Sequence, residues 1–139
     1  MAKWLLKTEP DDYSFKNLLR DGKTIWDGVN NNLALIYLRQ IKKGDTLMIY
    51  HTGTEKAIVG LAVAASDAYA DPKGDNPKQA VVDIKPGAQL RFAVTLAAVK
   101  SQPRLAQWEL PRLGRLSVMP VPEDIWKIIL TMAEQPPTK

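Results

Sequence analysis

Apolar positions along this chain fall in short clusters whose spacing alternates between strand-like and helix-like. "KWLLKT" (Lys3–Thr8) is an apolar-rich run closed by Glu9-Pro10 and predicts a first strand. Ser14 can cap a short helix through "FKNLLRDG", with Leu18 and Leu19 inward and Gly22 at its end. Ala34, Leu35, Leu38 and Ile41 then recur at helical spacing behind an N-cap at Asn31 or Asn32. "TLMIYHT" (46–52) and "AIVGLAVAA" (57–65) predict two strands across a glycine-containing turn.

"SDAYADPKGDNPKQ" is a polar stretch of a length that usually marks function or disorder. "AVVDIKP" and "LRFAVTLAAV" predict two further strands, and "SQPRLAQWEL" a short helix with an irregular turn at Pro111. The final segment opens with Pro122 and two acids, then carries Ile125, Ile128, Ile129 and Met132 down one helical face. Residues 136–139 are expected to be a disordered tail behind a single domain spanning 1–135. About five strands with helices among and after them predict an α+β fold, a small mixed sheet or open barrel flanked by helices.

At 139 residues the chain is long enough for one real core, and 45% hydrophobic with 24% charged residues is ordinary for a globular domain. No apolar run approaches the ~20 residues of a membrane span. The N-terminus has no apolar h-region or cleavage site of a secretion signal, so a cytoplasmic location is expected. The absence of cysteine excludes disulfides and thiolate metal sites. A net charge of +4 leans weakly toward a polyanionic partner.

Recognisable catalytic engines are missing. There is one histidine, His51, with no "GxSxG", no "HExxH" spacing and no phosphate-binding glycine loop, so neither cofactor nor metal is expected. Hydrogen-bonding and aromatic residues instead gather in four segments: Lys7-Thr8-Glu9, residues 26–31, Tyr50-His51-Thr52, and "GRLSVMPV" (114–121). A flat heteroaromatic ligand needs a stacking face, in-plane donors and acceptors, and a dry wall. Trp26 can supply the face and Asn31 both donor and acceptor. His51, Thr52 and Ser117 add polar partners, and Val29 and Leu116 the wall. Each has a plainer alternative: Trp26 as a core anchor, Asn31 as a helix cap, His51 as a satisfied strand-end side chain, Ser117 as a turn residue.

"WLLKTEPDDYS", "WDGVNN", "GD…YHT", "IVGLAVAASDAYADP" and "RLSVMPV", in that order, resemble the EVE domain family over nearly the whole chain. The resemblance implies a PUA-like, mainly antiparallel pseudo-barrel, related to the YTH readers of methylated adenine in RNA, with a pocket for a single modified base. It implies pocket roles for Lys7, Thr8, Glu9, Trp26, Asn31, Tyr50, His51, Thr52, Leu116 and Ser117, beside the wall residue Val29. Nuclear members are associated with modified cytosine in DNA, and a bare domain is more similar to bacterial members. Three departures stand out: Asn30 where the family commonly has arginine, Thr52 for serine, and a short loop after "YADP".

The resemblance therefore implies a non-catalytic, monomeric reader of DNA or RNA carrying a modified or unpaired base, with no membrane association. A free-nucleobase sensor and a hydrolase working through His51 and Glu9 are the alternatives. Stacking one base is worth ~1–3 kcal/mol, and extracting it from a duplex costs a few kcal/mol. Binding in the micromolar range or weaker, with preference for unpaired substrates, is the expectation.

Overall fold

The computed structural model describes residues 1–74 and 76–136. Residues 137–139 of the expected tail lie outside the described residues, as does Asp75 of the polar stretch. Strand β1 (Lys3–Thr8) buries Trp4, Leu5 and Leu6, and pairs in parallel with β3 (Thr46–His51) and antiparallel with β7 (Val118–Pro120). β4 (Ala57–Ala64) lies antiparallel to β3, and β6 (Ala80–Thr95) antiparallel to β4. β2 (Thr24–Trp26) pairs with β6, which also takes the short β5 (Tyr69–Ala70). The strand path runs β2-β6-β4-β3-β1-β7, a mixed sheet that is antiparallel except at β1–β3.

Helices fill the connections. In α1 (Phe15–Asp21) Ser14 and Asn17 form a reciprocal capping box, and Gly22 ends the helix at φ 72°. Helix α2 (Asn32–Leu38) is capped by Asn31, whose side chain accepts the Ala34 N–H at 3.0 Å. α3 (Leu96–Ser101) leads through a 3-10 turn at Pro103–Leu105 into α4 (Glu109–Arg112), and α5 (Glu123–Met132) packs Ile125, Trp126 and Ile129 inward.

Five expectations need correction. Leu18 is buried, but Leu19 is 43% exposed, because it lies one helical step past Leu18, at the edge of the stripe that Phe15 and Leu18 bury. The two strands expected around Pro86-Gly87 are one continuous strand. Pro86 pairs with Ala62 where the β4–β6 register shifts, and that irregularity accommodates its missing N–H. "LAAV" is helical, since the Thr95 side chain accepts the Ala98 N–H at 3.1 Å and starts α3. Pro111 sits inside α4 rather than in a turn. Ile41 is buried beyond the end of α2, which stops at Leu38.

The core lies between the sheet and its helices, with Leu5, Leu38, Leu47, Met48, Ile49, Ile58, Ile84 and Leu105 sealed from solvent. Each such side chain contributes roughly 1.5–3 kcal/mol of burial. Two polar side chains among the described residues are buried in it, Asp45 and His51. The Asp45 carboxylate accepts from Trp4 Nε1 (3.0 Å), Lys42 N (2.9 Å) and Ala2 N (3.2 Å). These bonds tie the start of β1 to the turn before β3.

Candidate functional site

Where β1 ends, Glu9-Pro10 turns the chain sharply. The Glu9 carbonyl accepts the N–H groups of Asp12 and Tyr13, both at 2.9 Å, and Thr8 Oγ1 donates to the Tyr13 carbonyl at 2.7 Å. This folds the 9–14 loop back against β2, where Tyr13 meets the Trp26 ring edge-on at 6.4 Å and 84°. Gly28, at φ 76°, lets the chain leave β2 in a conformation most side chains avoid. On the far side Ser117, just before β7, accepts the Lys7 N–H on its carbonyl at 2.9 Å.

Between these segments lies a cavity of about 570 Å³, within the roughly 300–1,000 Å³ of small-ligand clefts. β1 and its following loop contribute Lys7, Thr8, Glu9, Asp12 and Tyr13; β2 and its exit contribute residues 24–29; Ser117 completes the wall. Trp26 lines this cavity while only 7% exposed, so most of the indole is packed into the protein and a limited part of it borders the hollow.

Polar groups here are held from behind. Lys7 Nζ donates to the Gly114 carbonyl at 3.1 Å and lies 5.4 Å from the Tyr50 ring centroid, and burial lowers its pKa from the ordinary 10.5. Thr52 Oγ1 donates to Glu9 Oε2 at 3.2 Å. Burial raises the Tyr13 and Tyr50 hydroxyl pKa values.

Of the residues singled out from sequence, Lys7, Thr8, Glu9, Trp26, Val29 and Ser117 line the cavity. Tyr50 is buried beneath Lys7, and Thr52 braces Glu9. His51 is buried behind the wall: Nε2 accepts the Phe15 N–H at 3.0 Å, which leaves the proton on Nδ1, 2.7 Å from Glu55 Oε1. With both nitrogens engaged, His51 has no lone pair turned to the cavity. Asn31 caps α2 and, with Leu116, borders a separate shallow hollow beside Leu33, Leu113, Arg112 and Arg115. The two depressions adjoin: the 28–33 segment borders both, and Lys7 of the first bonds Gly114 of the second.

Asp12, Tyr13, Thr24, Ile25, Asp27 and Gly28 also line the cavity and were not singled out. Asp27 and Gly28 lie within "WDGV", and Tyr13 within "PDDYS", so position beside the picked residues was the available signal. Among the described residues, no group of three His, Cys, Asp or Glu side chains is placed to hold a metal ion and no helix is long and apolar enough to cross a membrane.

The chain matches the family model of the EVE domain across residues 2–132. It is 28% identical to human thymocyte nuclear protein 1 over 171 residues, 99% of this chain and 76% of the human protein. Rpa0253 from Rhodopseudomonas palustris superposes with a TM-score of 0.91 at 39% identity, covering 96% of this chain and 94% of that one. Human THYN1 in complex with 5-methylcytosine-containing DNA superposes with a TM-score of 0.90 at 27% identity, covering 99% of this chain and 100% of that one. The curled mixed sheet flanked by helices is the PUA-like fold. With its family model matched almost end to end, this chain belongs to the EVE domain family.

Proposed function

We propose that this domain is a non-catalytic nucleic-acid reader that seats one modified base, of the 5-methylcytosine kind, in the Trp26 cavity. The observation that carries the reading is a hollow of small-ligand size bordered by an indole and by hydrogen-bonding side chains from the ends of two strands. The similarity to human THYN1, solved with 5-methylcytosine-containing DNA, supports it. Stacking against Trp26 is worth ~1–3 kcal/mol, while flipping a paired base out costs a few kcal/mol. Contacts to phosphate supply the surplus, and Arg112 and Arg115 on the adjoining hollow are placed to make them. These arginines favour a polymer over a free nucleobase, which has no use for cations outside the cavity. His51, with both ring nitrogens engaged, speaks against the hydrolase alternative.

The test is a fluorescence-anisotropy titration of labelled single- and double-stranded oligonucleotides, with and without one 5-methylcytosine, at two salt concentrations. Micromolar affinity, tighter for the single strand and for the modified base and weakening with salt, is expected. Nanomolar, salt-insensitive affinity or indifference to the modification contradicts the reading.

A further inference from the structure

Resting on the base-binding reading, a finer selection follows from the charges that line the cavity. One ammonium, Lys7, shares it with three carboxylates: Glu9, Asp12 and Asp27. A carboxylate only accepts hydrogen bonds, and an ammonium only donates. Acceptors in a cavity repel phosphate and carbonyl-rich edges, and attract N–H groups.

Glu9 is the carboxylate that the fold positions. Its Oε2 takes the Thr52 hydroxyl at 3.2 Å and its Oε1 accepts the Asp11 N–H at 3.4 Å. Gly53, at φ 78°, leaves room for it, since a Cβ there would sit 2.8 Å from Oε2. A carboxylate offers about four lone-pair sites, so acceptor capacity remains after both bonds. Asp12 and Asp27 are exposed at the mouth. Lys7 spends one N–H on Gly114 and keeps two.

An acceptor and a donor on one cavity wall complement the pairing edge of cytosine, which presents an amine beside two acceptors. Thymine carries the same ring methyl as 5-methylcytosine and nearly the same outline, but presents a carbonyl in place of the amine. Stacking and methyl contacts cannot tell the two apart, whereas a carboxylate that accepts from the exocyclic amine can. We propose that the cavity selects bases bearing an exocyclic amine over their keto counterparts, and that Glu9 is the specificity-determining acceptor.

The experiment compares single-stranded oligonucleotides identical except for one central base: 5-methylcytosine, thymine, or N4,N4-dimethylcytosine. Anisotropy titrations with the unaltered protein and with Glu9→Gln give the affinity ratios, and circular dichroism monitors folding. The unaltered protein is expected to bind 5-methylcytosine at least about fivefold tighter than thymine, the lower end of what one base-edge contact discriminates. The dimethylated base, which has lost both amine hydrogens, should bind like thymine. Glu9→Gln, whose amide can donate or accept, should bring 5-methylcytosine and thymine close to parity. Equal binding of 5-methylcytosine and thymine by the unaltered protein overturns this inference and leaves the base-binding reading standing. A preference that survives Glu9→Gln overturns the assignment to Glu9. Failure to bind any of the oligonucleotides overturns the base-binding reading itself, and this inference with it.

Discussion

The Nε2 of His51 accepts the backbone N–H of Phe15 at 3.0 Å, so a buried side chain at the end of β3 holds the first turn of α1. That bond also fixes the far end of the 9–14 loop, whose near end supplies Glu9 to the cavity. His51→Ala leaves the Phe15 amide without its partner in a dry setting. A loss of roughly 1–3 kcal/mol is expected, measured by urea denaturation, with faster hydrogen exchange at Phe15. Unchanged stability and exchange would show that the clamp holds nothing.

Gly60 faces the Phe15 ring across β4, and a Cβ built on it runs directly into that ring. Gly60→Ala must therefore displace a fully packed aromatic, and a destabilisation of about 1–3 kcal/mol is expected. Combining it with Phe15→Leu should recover part of the loss, so a double-mutant cycle in denaturant reads the clash. Additive effects would place the cost elsewhere.

Trp26 borders the cavity with part of an otherwise buried indole. Trp26→Phe keeps a ring and much of the packing, whereas Trp26→Ala removes both. Loss of ~1–3 kcal/mol of base stacking is expected in the alanine protein, with a smaller loss for phenylalanine. Isothermal titration with a 5-methylcytosine oligonucleotide measures both, on samples shown to be folded by their melting curves. Affinity indifferent to both substitutions would separate the cavity from binding.

Tyr69 Oη donates to Asp83 Oδ1 at 2.7 Å, and this bond, ahead of desolvation and the carboxylate charges, pushes its pKa up to about 12. The folded pKa stands above the ordinary 10.0, so the stabilisation is complete below pH 10 and is lost as pH rises toward 12. Tyr69 should be the last tyrosine to ionise in an ultraviolet absorbance titration, and Tyr69→Phe should abolish that final phase. The melting-temperature gap between the two proteins should close over the same interval. A gap that persists at higher pH would assign the stabilisation to something other than this hydrogen bond.

Where sequence marks its own boundaries, the elements were legible. Ser14, Gly22 and Asn31 announce helix ends through local hydrogen bonding, and each does so in the structure. The apolar runs of β1, β3 and β4 declare buried strands. What escaped was structure imposed from a distance. β2 and β7 are three residues each, too short for a period to register, and exist because β6 and β1 offer them partners. β6 continues through Pro86-Gly87 because the shifting β4 register tolerates the proline. In the candidate site, the strand-end residues Lys7, Thr8 and Glu9 and the aromatic Trp26 could be picked by type and placement. His51 could not be told from a ligand contact, since its partner Phe15 lies 36 residues away in sequence. Asp27 carries no comparable signal, since a lone carboxylate in a loop has the pattern of solvated surface.

The strand path begins at β2 and finishes at β1 and β7 without joining its two ends, and the cavity takes its walls from both. The hollow is thus the seam of an unclosed cylinder. A molecule seated there touches the opening and closing staves together and does the joining that a missing backbone ladder would have done. Occupancy should stiffen the whole barrel rather than one loop.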